Sequence, residues 1–424
     1  MAYSGRQLKL LFILLLGVCS VAFAFHQDDS TATLLKVADE MVQRVAQLRG
    51  LEPKAAISKG VKTREEIAQF LNEHVRSNYD ESELKREGRM LQKLGLIPVD
   101  IDYKDFVLKL LTEQVGGYYD PEKKTLFVAG WLPVDQQKPV MVHELTHALQ
   151  DQYFDINRFL KEDRKLQNDD RALAHQAIFE GDAMAVMLDS LLQPAGRNFA
   201  QLPDLVFIMR AQFSTMESQF AVFKSAPMYL KESLLFPYGY GASFLQRIRA
   251  QQPWSAVDKI YSDLPVSSEQ IIHPEKYLTT RDDPKTVPAE NPAERLGKNW
   301  RVTFKNVLGE FTLYLLLKTQ IPEEQAKRAA AGWGGDQVYL LEDESRSLET
   351  AYLSSLWDTP EDAQEFFQAA RDWLVKRFPH GRRRKELLNE FVITADGEYC
   401  TIRYEGSSVR LISGLSESSK LKTW

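Results

Sequence analysis

The 424-residue sequence predicts an α+β protein. Three observations carry that expectation. Apolar residues recur at helical spacing through much of residues 30–115 and 202–235. Short runs such as Lys124–Val128 and Val338–Leu341 read as strands, and the Tyr399–Ile412 stretch alternates around Glu405-Gly406 like a hairpin. The composition, 44% hydrophobic and 26% charged, is that of an ordinary folded chain.

The elements follow in order. Residues 1–24 read as an export signal: Arg6 and Lys9 give a positive start, Leu10–Val18 an apolar core, and Ala22-Phe23-Ala24 a small-residue cleavage site. The alternative is an uncleaved anchor. Residues 25–98 form a helical N-terminal region. Leu34, Val37, Met41, Val45 and Leu48 line one helix that Gly50 stops. Thr63 and Glu66 make a capping box for the next, and Gly95 and Pro98 end a third that runs from Glu83 to Leu94. This region could be a propeptide, a packing layer or a partner-binding bundle; the packing layer is the default. A central domain spans 99–281. It contains a helix from Asp105 to Val115, a Gly-Gly-Tyr-Tyr turn, the 124–129 strand, and a long helix that follows Pro139. Residues 155–170 are densely charged and read as exposed. The Pro-rich stretch Asp282–Asn299 is a boundary. A small C-terminal α+β region, 300–424, holds helices at 307–317, 323–331 and 360–378. Gly332–Asp336 reads as a turn, in which Trp333 could meet a substrate.

A net charge of −6 with mixed signs argues against nucleic acid as partner, and Arg382–Lys385 reads as solvated surface. Once the signal is removed, Cys400 is the only cysteine, so no intrachain disulfide can form.

The chemistry concentrates at His143-Glu144-Leu145-Thr146-His147. On an α-helix, positions i and i+4 share one face, about 6 Å apart along the axis. Both imidazoles can therefore reach one Zn2+, and Glu144 can lean over an open coordination position where a water sits. With seven histidines in the chain, chance supplies on the order of 0.01 such matches. Val142, Leu145 and Leu149 add the apolar back face that a helix there needs.

A catalytic zinc needs a third protein ligand. A further His six residues after His147 is excluded, because position 153 is Tyr. Residues 169–188 read as a helix capped by Asp169 or Asp170, with Glu180 among apolar neighbours. A carboxylate there is costly to bury unless paired or metal-bound. Glu180 is the preferred third ligand, and His175 and Asp182 are rivals.

His143–Asp151, read as HELTHALQD, resembles the active-site helix of thermolysin and its gluzincin relatives. Glu180-Gly181-Asp182-Ala183 resembles the Glu-bearing second helix of such peptidases. Gly117–Pro121 and Lys124–Val128 are similar to the strand that edges their cleft. The similarity covers roughly residues 110–280. It implies a zincin-like fold, a mixed sheet over two zinc-binding helices, with His143, His147 and Glu180 as ligands and Glu144 as general base. It also implies a His–Tyr pair that stabilises the oxyanion: His273 with Tyr238, Tyr240 or Tyr277. The family's Asp four residues after its ligand Glu is absent, since position 184 is Met. Asp151 is therefore the alternative for orienting a ligand, ahead of Asp182, which i+2 spacing turns away. Tyr119 and Phe127, on the two cleft-edge stretches, are the expected substrate-binding residues, and the 124–128 strand could pair with an extended peptide.

The sequence thus leads to an exported, periplasmic or extracellular zinc metallopeptidase. Its partner would be a peptide or protein substrate, with no membrane attachment after signal removal. The alternative is a catalytically silent zincin-fold module that binds peptides or cell-envelope partners.

Overall fold

The computed structural model describes residues 31–78, 80–288 and 290–419; the expected export signal, residues 1–24, lies outside them. Local chemistry sets the first elements. Helix α1 (Thr31–Arg49) ends before Gly50, whose φ of 75° only glycine adopts without strain. Strand β1 (Ser58–Lys62) follows, so the N-terminal region is not purely helical. Thr63 and Glu66 close the capping box of α2 (Arg64–Asn78): the Thr63 N–H donates to Glu66 Oε2 at 2.8 Å, and the Glu66 N–H to Thr63 Oγ1 at 3.2 Å. Asp80 caps α3 (Glu81–Leu94), and left-handed Gly95 stops it. After α4 (Tyr103–Gln114) come β2 (Gly117–Asp120) and β3 (Thr125–Ala129). The expected Gly-Gly-Tyr-Tyr turn is thus largely strand.

Helix α5 (Val134–Phe154) begins earlier than expected, with Pro139 inside it. As the sixth residue of α5, that proline lies past the four N–H groups a helix start leaves free, so it costs the helix one i→i−4 hydrogen bond. Asp155, at φ 53°, ends α5 and caps α6 (Ile156–Lys165), so the charged 155–170 stretch is mostly helix. Helix α7 (Asp169–Leu192) is capped by Asn168 and not by Asp169 or Asp170. Asp170 is instead buried and accepts the Ser268 N–H at 3.1 Å. The helices α8 (Leu205–Met216), α9 (Ala221–Ser225), α10 (Met228–Arg249), α11 (Trp254–Ile260), α12 (Ser268–Ile272), α13 (Glu275–Leu278) and α14 (Pro292–Leu296) complete the central part.

The C-terminal part runs β4 (Arg301–Asn306), α15 (Gly309–Lys318), α16 (Glu323–Ala330), β5 (Trp333–Asp343), β6 (Leu348–Trp357), α17 (Pro360–Arg377), β7 (Arg382–Glu386), β8 (Glu390–Ala395), β9 (Glu398–Glu405) and β10 (Ser408–Ser416). The stretch read as a turn at 332–336 is mostly the start of β5. Trp333 is fully buried there and donates to Asp336 at 3.0 Å, so it meets no substrate.

The architecture is α+β, with two sheets among the described residues. The small one is mixed, in the order β1-β3-β2: β1 runs parallel to β3 and β2 antiparallel to it. The large one is antiparallel throughout, in the order β4-β5-β6-β10-β9-β8-β7. Helix α17 covers one of its faces, where Phe366 stacks on Trp357. Among the described residues no helix is long and apolar enough to cross a membrane.

Two contacts place the helices that matter for the site. Helices α7 and α10 cross backbone to backbone: a Cβ added to Gly241 would lie 1.9 Å from the Ala177 carbonyl oxygen. Helix α1 is bound to α7 by Arg49, which is 1% exposed and donates to Asp182 at 2.8 Å.

Candidate metal centre

Helices α5, α7 and α10 and the edge strand β2 meet at the site. Helix α5 packs against α7 on one side and against β2 and β3 on another. Its periodicity turns His143 and His147 toward α7, where Glu180 faces them. His143 Nε2 lies 2.9 Å from Glu180 Oε2 and 3.1 Å from His147 Nε2, and His147 Nε2 lies 3.4 Å from Glu180 Oε2. The two rings stand almost perpendicular, at 82°. His143, Glu144, His147 and Glu180 are all fully buried.

This geometry can be tested against a zinc ion. A triangle with those three edges has a circumradius of about 1.8 Å, so a point about 1 Å off its plane lies about 2 Å from every corner, the usual zinc–ligand distance. The chemistry agrees. Two imidazole nitrogens and one carboxylate oxygen face one another away from water, and a single proton cannot satisfy all three pairs. One divalent cation can. The set His143, His147 and Glu180 therefore fits the metal that the sequence implied.

The surroundings act on the charges. Burial holds the His143 pKa down. Burial also opposes a charge on His147, but Glu180 and Glu144 outweigh it and raise its pKa. Burial would raise Glu180; the two imidazoles outweigh it and hold the carboxyl below its ordinary value.

Glu144 is fixed from the sheet. Its Oε2 accepts the Tyr119 backbone N–H at 2.8 Å, on the free edge of β2. Tyr238, on α10, sits three residues before Gly241 and so shares the face that α10 presents to α7. Its hydroxyl bonds to Glu180, and its ring centroid lies 6.0 Å from that of His143. Burial, followed by the charges of Glu180 and Glu144, raises its pKa well above 10, so it remains a donor.

Other expected residues lie elsewhere. His273 ends α12 and bonds to Glu310 at 3.0 Å, a contact that raises its pKa. With Tyr240 it lines a separate cleft of about 790 Å3. Tyr240 lies about 200° around α10 from Tyr238, on its other side. Tyr277 donates to the Asp263 carbonyl. None of these three touches the histidine pair, and the oxyanion role expected of His273 has no geometry behind it. The rival ligands are engaged as well: His175 bonds to Asp163 at 2.7 Å, and Asp182 to Arg49 and Tyr261. Asp182 therefore anchors α1 and does not orient a ligand.

Asp151 accepts the Tyr119 hydroxyl at 2.9 Å and not a histidine. Tyr119 thus serves the site through its backbone, with its side chain buried. Phe127 sits on the opposite face of the sheet, packed against Tyr118. The β3 strand cannot pair with a peptide, because β1 and β2 occupy both of its edges. The sequence reading missed Gln150. Its Oε1 lies 2.8 Å from His147 Nδ1, and its Nε2 donates to the Phe179 carbonyl at 2.9 Å. The available signal was its i+3 position from His147. His143 Nδ1 is buried and has no hydrogen-bond partner among the described residues.

A second acidic cluster, Glu269, Asp282 and Asp358, already surrounds the Lys276 ammonium at 2.7, 3.0 and 3.0 Å.

Comparison with known proteins adds little at this centre. Residues 297–423 match a domain of unknown function (DUF8575), which lies beyond the histidine site. No curated protein matches the chain. One solved structure, described as a "putative hydrolase with a novel fold" from Chloroflexus aurantiacus, is similar at 18% identity and a TM-score of 0.37, over 62% of this chain and 93% of that one.

Proposed function

We propose that this protein is an exported zinc-dependent metallopeptidase of gluzincin type, built on a zincin-like core of the small sheet, α5 and α7. The observation that carries the reading is the convergence of His143, His147 and Glu180 beside a carboxylate, Glu144, that is not one of the three. A protein that only stored a metal would have no use for that base.

His143, His147 and Glu180 would hold the ion. Bound there, zinc supplies Lewis-acid polarisation of a carbonyl and makes a water more acidic. Glu144 would take the proton of the attacking water and hand it to the leaving amine. The Tyr119 N–H keeps that carboxylate oriented. The Tyr238 hydroxyl is the one expected oxyanion donor that lies at the site. A peptide would approach from the free edge of β2. A cavity of about 190 Å3 between α2, the β2–β3 turn and α6 includes Tyr119 in its wall.

Full burial of the four site residues favours a second reading, a closed module that binds metal without turnover. One paired measurement separates the two. Zinc content and hydrolysis of a protein substrate are measured for the wild type and for Glu144→Gln. The variant should keep its zinc and lose at least about 100-fold in rate. Equal, chelator-insensitive hydrolysis in both would remove the zinc mechanism. Full zinc with no hydrolysis of any amide by the wild type would support the closed module.

A further inference from the structure

We infer that Gln150 is the positioning residue of this metal centre: its side chain fixes the tautomer of His147 and, with the same amide, the backbone that carries Glu180. The inference rests on the metal reading proposed above. The Gln150 Oε1 is only an acceptor, and it lies 2.8 Å from His147 Nδ1. That contact is a hydrogen bond only if Nδ1 carries the proton. A neutral His147 then has its lone pair on Nε2, the atom that faces His143 and Glu180.

The amide could in principle flip and present its NH2 group. Its other end prevents this. Nε2 donates to the carbonyl of Phe179, 2.9 Å away, and a flipped amide would set oxygen against oxygen there. Phe179 immediately precedes Glu180, so one fully buried side chain joins the second ligand to the peptide that aims the third. A carboxylate at position 150 would serve the histidine but not the carbonyl. An apolar residue would serve neither. The amide is the side chain that satisfies both, in an interior where an unmet donor or acceptor is costly. His143 has no counterpart on its Nδ1 among the described residues, so within the pair the Nδ1 side is fixed at His147, by Gln150.

The test uses the full chain and zinc alone. Zinc affinity is measured by chelator competition for the wild type, Gln150→Leu and Gln150→Glu, and proton–nitrogen NMR of the zinc-loaded wild type locates the His147 ring proton. Gln150→Leu should weaken zinc by about 10–100-fold. Gln150→Glu, which keeps the acceptor, should recover most of that loss. The wild-type ring proton should sit on Nδ1. Equal zinc affinity in wild type and Gln150→Leu would overturn the inference while leaving the metal reading intact. So would a Glu variant as weak as the Leu variant, or zinc bound through His147 Nδ1. The NMR measurement decides the case even if the Leu variant does not fold. A wild type that takes up no divalent metal would instead overturn the metal reading itself, and the inference with it.

Discussion

At the scale of single residues, Glu180 and Asp182 show how two acids only two positions apart come to opposite fates. Spacing of i+2 sends them to different faces of α7. Glu180 meets the histidines, and Asp182 meets Arg49 and Tyr261. Their substitutions should therefore read out differently. Glu180→Ala should reduce zinc affinity sharply while the metal-free protein keeps its fold, which chelator competition and circular dichroism would show together. Asp182→Ala should leave the buried Arg49 guanidinium with Asp258, at 2.7 Å, as its remaining carboxylate partner among the described residues, and cost at most about 3–5 kcal/mol of stability, as measured in urea. A second residue carries a pH dependence. Burial, followed by the charge of Arg164, pushes His74 down to about 4. As pH falls below 6.5 the unfolded chain takes up a proton that the folded chain refuses until about pH 4. Stability present above pH 6.5 is therefore lost across that window. Urea midpoints between pH 7.5 and 4.5 should fall more steeply in the wild type than in His74→Phe; parallel curves would remove His74 from the account. Sequence alone pointed to His143, Glu144, His147 and Glu180 because i,i+4 spacing and the cost of a buried acid are local arguments. It misplaced His273 because a Pro-flanked histidine has no local signature for the distant Glu310 that claims it.

At the scale of elements, the site depends on how closely α7 and α10 approach. Gly181 and Gly241 allow the backbones to touch, and this contact brings Tyr238 to Glu180. Gly241→Ala would drive a methyl into the Ala177 carbonyl. Overpacking of this kind costs about 1–3 kcal/mol where side chains can move, and here the obstacle is backbone. The expected result is a larger loss of stability than for Gly196→Ala, where a Cβ meets open space and only the left-handed backbone, at φ 67°, opposes the change. Helix periodicity made most of the helices legible, and the capping box at Thr63 and the stop at Gly95 were read in place. The strands β1, β4, β6, β7 and β8 were not. Two of them, Ser58–Lys62 and Arg382–Glu386, are largely polar or charged, and the five residues of β7 are all exposed. Strand β1 is held by its ladder to the distant β3, and β7 by its ladder to β8, a strand that itself went unread; ladder pairing of this kind is not displayed in a strand's own residues. The Trp333–Asp336 stretch failed for the same reason. Its glycines suggest a turn, but pairing with Trp357 and Ser355 makes it strand.

At the scale of the whole molecule, the N-terminal region is built into both halves of the chain. Strand β1 completes the small sheet, and Arg49 reaches α7. Lys93 of α3 pairs with Glu398 of β9 at 2.6 Å, and its carbonyl accepts from Ser413 and Arg377. A removable propeptide would not carry a sheet strand and a buried ion pair, so the packing-layer option is the one that these contacts favour. A metal held by His143, His147 and Glu180 would add a further long-range tie, because those residues come from α5 and α7, 33 residues apart from His147 to Glu180. A ligand that binds only the folded state stabilises it by RT ln(1 + [L]/Kd), about 4 kcal/mol when zinc stands a thousandfold above its dissociation constant. Chelation should therefore lower the melting temperature of the wild type by several degrees, and added zinc should restore it. Glu144→Gln should show the same shift, because that residue is not in the ligand set. Glu180→Ala should show almost none, because its metal is already weakly held. If instead the Glu180 variant responded to chelator as the wild type does, the tie between α5 and α7 would have to run through some other ligand, and the centre described here would not be the one that binds.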